Sequence, residues 1–487
     1  MAAEFVKSLA DGVECKLHIV VFPWLAFGHI IPYLELSKLI AQKGNKISFI
    51  STPRNIDRLP KLPLEYSTSI NLVKIPLPKV DGLPENAEAT MDIHTKDIVY
   101  LKKALDGMEL ELTSFLEKNS PDWVIHDFAP YWLAPITTRL GISRGFFRII
   151  NACFLAFLGS TDMMLTGSTN PPPTPEEFMV PAKWIPFETK AAFRRHEAKW
   201  IVDAMQKNVS GVSDLYRTGA TIKDVDVIII RQCREFEGQW LKLLEDLHHR
   251  PILPVGLMPP PLHDSNDENN ENWACIKEWL DERTKGSVVY VALGSEVTIG
   301  PTEINELAHG LELSGLPFFW VLRKPSNSEN MDYIELPDGF EERIYGRGIV
   351  WKSWVPQLKI LSHESVGGFL THCGWSSVIE GLMFGHALIM LPFLVDQGLN
   401  ARILEDKEIG IEIPRNEEDG SYTRDSVSSS VKMVMVERDG KKIREKAKEI
   451  SSIFGDRRLY DKYIEDLIQF LEDHRKMCKG HSSQNLM

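Results

Sequence analysis

The sequence predicts an α/β protein of two Rossmann-like, doubly wound domains facing one another across a cleft. Three observations predict it. The chain has 487 residues, more than one hydrophobic core serves, so two domains of about 200–250 residues each are expected. Short β-rich apolar runs alternate with helical patterns in two successive series. Between the series, residues 251–272 (PILPVGLMPPPLHDSNDENNEN) hold prolines and then an acidic, asparagine-rich patch with nothing to bury, the composition of a linker. The expected division is 1–250, a linker at 251–272, 273–455, and a helical tail at 456–487 that packs back on the first domain.

The first series opens with residues 16–23 (KLHIVVFP), a buried parallel strand by its apolar, β-branched content. A loop, WLAFGHIIP, leads into a helical pattern with Leu34, Leu36, Leu39 and Ile40 apolar, and Gly44 stands where a C-cap is expected. Residues 46–51, 72–75, 122–127 (DWVIHD) and 226–230 (DVIII) read as further strands, the last closing the domain, and 166–186 as an irregular loop. In the second series, residues 287–293 (SVVYVAL), 318–322, 348–352 and 369–371 are strands. Pro301 and Gly315 bracket a helix carrying Ile304, Leu307, Ala308 and Leu311. Tyr463, Leu467, Phe470 and Leu471 form the apolar stripe of the tail.

The composition is that of a soluble globular protein, 43% hydrophobic and 25% charged. A formal charge of −13 argues against nucleic acid or anionic membrane as the main partner, though not against a phosphorylated ligand in a local site. Six scattered cysteines without a CxxC pair suit reduced thiols. No leader or apolar run long enough to span a bilayer is apparent, so a cytoplasmic location is expected.

The chemistry concentrates in residues 354–397, WVPQLKILSHESVGGFLTHCGWSSVIEGLMFGHALIMLPFLVDQ. Polar and aromatic groups recur there within an apolar, glycine-rich segment, and such groups need either structural partners or a ligand. A strand at 369–371, a tight His372-Cys373-Gly374 turn and a helix starting at Ser376 or Ser377 would form an anion site, with backbone N–H groups suited to phosphate. Ser377-x-x-Glu380 also reads as a capping box, which needs no ligand. That leaves Trp354-x-x-Gln357 and Asp396-Gln397 unexplained. In the first half, His29 and Asp127 both follow predicted strands, where open α/β sheets bind ligands. Asp122, at the start of its strand, is the weaker acid. The one D-x-D, Asp224-Val225-Asp226, leads into a strand rather than following one, so no metal is expected.

These motifs are specific. The 44 residues from Trp354 to Gln397 resemble the signature box of the plant UDP-dependent glycosyltransferases: W-x-P-Q, the H-C-G-W turn, S-x-x-E, G-x-x-x-G and the closing D-Q. The F-G-H-x-x-P loop, the D-F after DWVIHD and the GSVVYVALGS strand extend the resemblance over nearly the whole chain. It implies the two-domain GT-B fold, with acceptor held mainly by the first domain and UDP-sugar by the second. It further implies that Trp354 stacks on uracil while the Val355 backbone reads its edge. Gln357 and Glu380 would hold the ribose. Ser295, His372, Gly374 and Ser377 would bind the diphosphate, and Trp375, Asp396 and Gln397 the sugar. Two departures stand out: Ser376 where the family usually has asparagine, and Ala387 where it usually has proline. Ser376 shortens or removes one amide contact to the diphosphate–sugar region.

The resemblance makes His29 a general base and Asp127 its orienting acid, in a metal-independent, cofactor-free transfer that inverts the anomeric centre. WLAFGHIIPYLELSKLIAQKGNKISFISTPRNIDRLP resembles the branch that extends sugars already on saponins, steroidal glycosides or flavonoid glycosides. A UDP-sugar and a small-molecule acceptor are the expected partners, glucose the expected sugar, with rhamnose or xylose as alternatives. A nucleotide-sugar hydrolase or epimerase and a silent UDP-sugar binder are the rival readings.

Overall fold

The computed structural model describes residues 17–166, 174–261, 271–294, 296–297, 299–322 and 335–484. Contacts gather the described residues into two units. One draws on Met1–Pro171, Ala204–Met258 and Arg457–Met487, the other on Pro172–Asp203 and Pro259–Asp456.

The first unit holds a seven-stranded parallel sheet of β1 (His18–Phe22), β2 (Lys46–Ser51), β3 (Ile70–Lys74), β4 (Trp123–His126), β5 (Ser143–Arg148), β6 (Val227–Ile230) and β7 (Ile252–Pro254). Their order is β3-β2-β1-β4-β5-β6-β7. The winding therefore reverses between β1 and β4, which pair directly, Phe22 opposite His126. Every residue of β4 and β6 is buried, as strands covered on both faces require. Gly44, at φ +85°, follows the helix Phe27–Gln42 in the left-handed conformation that glycine adopts without a Cβ penalty.

The second unit repeats the plan in six parallel strands, β8 (Val288–Ala292), β9 (Phe318–Val321), β10 (Gly348–Trp351), β11 (Val366–Thr371), β12 (Ala387–Met390) and β13 (Gly410–Glu412), in the order β10-β9-β8-β11-β12-β13. Its reversal lies between β8 and β11. The two sheets are Rossmann-like, and each places a ligand crevice beyond the carboxyl ends of its central pair.

The expected linker begins too early, and residues 226–230 are not the last strand of the first sheet. Residues 252–254 form β7, whose Ile252 and Pro254 stand opposite Ile228 and Ile230. Three residues, the last of them a proline, carry almost no periodicity, and Pro254 is tolerated because β7 is an edge strand. The acidic part of that linker, 262–270, lies outside the described residues. The segment 174–203 packs within the second unit, where Arg194 meets Glu412 at 2.9 Å and Glu197 meets Arg402 at 2.7 Å. The helix Arg457–Gln484 packs within the first unit: the Trp123 indole N–H donates to the Leu471 carbonyl (3.2 Å), and Tyr460 lies against Gly256.

Candidate active site

The loop after β1 ends at Ala26, the N-cap of the helix Phe27–Gln42. His29 is thus the third residue of a helix and not part of a loop: its N–H, like that of Ile30, donates to the Ala26 carbonyl at 2.8 Å. Gly28 and Pro32 suggest a loop from sequence, yet Pro32 lies inside the helix. Asp127 follows β4 directly and is 1% exposed. Its Oδ2 accepts from His29 Nδ1 at 2.7 Å and from the Trp24 N–H at 3.1 Å, and its Oδ1 accepts from the Phe128 N–H at 2.8 Å. Burial alone would raise this carboxyl. The facing His29 and the three hydrogen bonds outweigh it and hold Asp127 below the usual carboxylate range. An ionised carboxylate only accepts, so Nδ1 carries the proton and Nε2 is left as the basic nitrogen of His29.

The preceding residue, His126, is fully buried in β4, and that burial lowers its pKa to about 4, so it is a neutral core imidazole. Beside His29 stands Phe128, at 6.1 Å between ring centroids, part of an apolar wall in which Trp24 lies edge-on to Phe128 at 5.8 Å and Leu25, Ala26 and Ile93 are buried. Asp122, at the other end of β4, accepts from the His18 N–H (2.9 Å) and pairs with Arg475 (2.8 Å), a structural role. The D-x-D is also structural, with Asp226 Oδ2 accepting from the Arg144 N–H at 2.7 Å.

In the second unit, β11 runs into a turn and then the helix Trp375–Met383. The N-cap is Gly374, without a side-chain cap, so the helix starts before Ser376 and Ser377-x-x-Glu380 is not its capping box. Ser376 and Ser377 sit in the first turn. Glu380 instead accepts from Gln357 Nε2 at 2.6 Å, and Gln357 Oε1 accepts from the Tyr290 hydroxyl at 3.1 Å. Tyr290, fully buried in β8, completes a row that sequence reading missed, since within SVVYVAL it looks like any apolar strand residue. Cys373 adopts φ +64°, and its carbonyl accepts from Asn400 Nδ2 at 2.8 Å, which fixes the turn.

His372 is wedged between two glycines. A Cβ on Gly294 would lie 2.7 Å from its Nε2, and one on Gly374 2.4 Å. Burial lowers its imidazolium to about 4, and its Nδ1 is buried without a hydrogen-bond partner among the described residues. At neutral pH it is therefore neutral. Ser295, beside Gly294, lies outside the described residues. Trp354, between β10 and the helix Gln357–Leu361, is 50% exposed, whereas its neighbour Val355 is buried. Trp375 is buried with its indole edge-on to Phe454, so it offers a ligand its backbone rather than its ring. Asp396 caps the helix Gln397–Asp406 and accepts from Asn400 Nδ2 at 2.7 Å. Gln397 Oε1 accepts from the Phe393 and Leu394 N–H groups, both at 2.9 Å.

An exposed indole, an amide–carboxylate pair, a helix N-terminus beside a neutral imidazole, and an Asp-Gln pair thus follow one another around the carboxyl end of one sheet. The segment that carries this array, residues 263–462, matches the model of the UDP-glucoronosyl and UDP-glucosyl transferase family. Over the full length, the chain is 53% identical to UDP-glycosyltransferase 91D2 of Stevia rebaudiana, covering 96% of this chain and 98% of that one. The chain belongs to the plant UDP-glycosyltransferase family. It is 50% identical to UDP-glycosyltransferase 91A1 of Arabidopsis thaliana (96% and 98% covered) and 41% to soyasaponin III rhamnosyltransferase of Glycine max (94% and 96%). Among solved structures, Phytolacca americana UGT2 with UDP-2fluoro-glucose and pterostilbene superposes with a TM-score of 0.68 at 26% identity, covering 90% of this chain and 94% of that one. Glycyrrhiza uralensis UGT73P12 reaches 0.76 at 22%, covering 96% and 97%, and shares the GT-B fold. This UDP-glycosyltransferase is therefore an enzyme of sugar transfer. Among its described residues no helix is long and apolar enough to cross a membrane.

Proposed function

We propose that this UDP-glycosyltransferase moves glucose from UDP-glucose, with inversion, to a hydroxyl of an already glycosylated metabolite, a triterpenoid or steroid saponin or a flavonoid. The observation that carries the transfer chemistry is the 2.7 Å contact between His29 and Asp127 at the switch point of the first sheet. A sugar or phenol hydroxyl is a weak nucleophile. His29 Nε2 takes its proton as the oxygen bonds to the anomeric carbon and the bond to the UDP oxygen breaks. Asp127 fixes the tautomer and stabilises the imidazolium that forms. Attack on the face opposite UDP inverts the anomeric centre. The first unit holds the acceptor, and the wall of Trp24, Phe128 and Ile93 suits an apolar aglycone.

In the second unit, the exposed Trp354 ring stacks on uracil beside the Val355 backbone. Glu380 and Gln357 take the ribose hydroxyls. His372, Gly374, Ser377 and Ser295 meet the diphosphate, whose charge is answered by N–H donors rather than by a metal. Trp375, Asp396 and Gln397 serve the sugar, Gln397 through the amide N–H groups its own turn does not use. Rhamnose is the second reading, favoured because two similar enzymes, from Glycine max and Petunia hybrida, are named rhamnosyltransferases. Ser376 bears on this choice. Ser376→Asn is expected to keep or raise turnover with UDP-glucose, and a collapse of donor binding would mean that the serine is adapted to another donor.

The deciding experiment is a mass-spectrometric screen of UDP-glucose, UDP-rhamnose and UDP-xylose against aglycones and their monoglycosides. Transfer of glucose to monoglycosides is expected. Transfer to aglycones alone would refute the sugar-extending reading, and absence of any transfer alongside intact UDP binding would leave a silent binder.

A further inference from the structure

We propose that Glu197 is a positioning residue for donor recognition: it sets the turn that presents Asp396 and Gln397 to the donor's sugar. Glu197 is far from that turn in sequence, in the helix Arg195–Ala204 of the segment that packs within the second unit. Its carboxylate lies flat on Gly398, the residue after Gln397. A Cβ there would be 2.4 Å from Oε1 and 2.6 Å from Oε2. Oε2 accepts from Arg402 Nη2 at 2.7 Å, and Arg402 Nη1 donates to the Gly398 carbonyl at 2.5 Å. Arg402 also meets Glu412 at 3.4 Å, and Glu412 meets Arg194 at 2.9 Å. The side chains of Glu197, Arg402 and Glu412 are only 11%, 7% and 1% exposed, so each charge depends on the others for compensation.

The turn so held needs holding. Val395, a β-branched residue, adopts φ +50°, a left-handed conformation that is strained for such a residue and persists only where surroundings enforce it. Arg415 Nη1 donates to the Pro392 carbonyl on one flank of the turn, and the Glu197–Arg402 pair grips Gly398 on the other. Glu197 also places a negative charge at the first turn of the helix Gln397–Asp406, where the helix dipole favours it. Glu197 Oε1 is buried against Gly398 without a hydrogen-bond partner among the described residues, while Oε2 also accepts from the Arg194 N–H at 2.8 Å, so packing and hydrogen bonds together set the carboxylate's place.

The inference rests on the reading that Asp396 and Gln397 contact the sugar, and the test separates the two. The readout is the ratio of dissociation constants for UDP-glucose and UDP, by calorimetry on the full chain, because UDP lacks the sugar. Gln397→Ala should weaken UDP-glucose about tenfold, near the loss of one hydrogen bond to a sugar hydroxyl, and spare UDP. Glu197→Gln, which keeps the shape and removes the charge, should shift the ratio in the same direction by about tenfold. Gly398→Ala, which drives a methyl against the carboxylate, should do likewise. Replacing Glu197 by alanine in the Gly398→Ala background should add little to the loss, since the carboxylate is already displaced there. If Gln397→Ala moves the ratio and neither Glu197→Gln nor Gly398→Ala does, the positioning role is refuted. Equal losses for UDP and UDP-glucose in Glu197→Gln would also refute it, as the mark of a merely structural residue. If Gln397→Ala leaves the ratio unchanged, the underlying sugar-site reading fails instead.

Discussion

Replacing His29 by alanine is expected to lower kcat by about 10²–10⁴-fold, the contribution of a positioned general base, while the dissociation constant for UDP stays within about twofold of the parent value. The split follows from the architecture. His29 and Asp127 stand at the carboxyl ends of β1 and β4 in one sheet, whereas the residues assigned to UDP surround β8, β10 and β11 in another. Asp127→Asn should cost a similar factor through a different route. An amide at Oδ2's place can present N–H to His29 Nδ1, and the imidazole then turns to the wrong tautomer. Asp127 also carries a pH signature. Its folded-state carboxyl is held below the usual range, so its contribution to stability is present above that range and is lost as pH falls through the folded value. The Asn variant should therefore show a flatter loss of stability in acid, measured by thermal melting from neutral pH down through and below the usual carboxylate range. Near-normal turnover in His29→Ala would end the general-base assignment.

Gly374→Ala is the second large effect, expected in binding rather than chemistry. Gly374 has φ −59°, which any residue tolerates, so the substitution adds no backbone strain. It adds a Cβ 2.4 Å from His372 Nε2, and the ring must leave its place between Gly374 and Gly294. Overpacking of this kind costs about 1–3 kcal/mol. Spent wholly on the ligated state, 2 kcal/mol is about a 30-fold loss of UDP affinity. Calorimetry with UDP reads the loss, and a melting curve shows whether the fold has suffered instead. In a His372→Ala background the same glycine substitution should cost little, since the clash is gone. An unchanged UDP affinity in Gly374→Ala would show that the ring's position does not matter to the donor.

The legibility of this chain in its sequence follows physical lines. Strands such as residues 18–22 and 288–292 were readable because buried parallel strands are continuous apolar runs. β7 and β13, three residues each, were not, because so short a run has no period to detect. The helical placement of His29 was hidden by Gly28 and Pro32, whose local preference for a loop is overridden by the helix that Ala26 starts. Conversely, Ser377-x-x-Glu380 fitted a capping box by spacing, yet the helix begins at Trp375 and Glu380 bonds Gln357.

By itself the sequence determined the two α/β series, the GT-B resemblance and the residue types that a nucleotide sugar requires, since motif spacing and apolar periodicity are local properties. Only the tertiary structure decided which of those residues meet. It joined His29 to Asp127 across 98 positions and Tyr290 to Gln357 across 67. It also drew Glu197 against Gly398 and Arg402, 205 positions from the latter. Such pairings depend on strand order and on where an irregular segment packs. Neither leaves a periodic trace along the chain, because burial and charge compensation are satisfied between distant segments rather than within one.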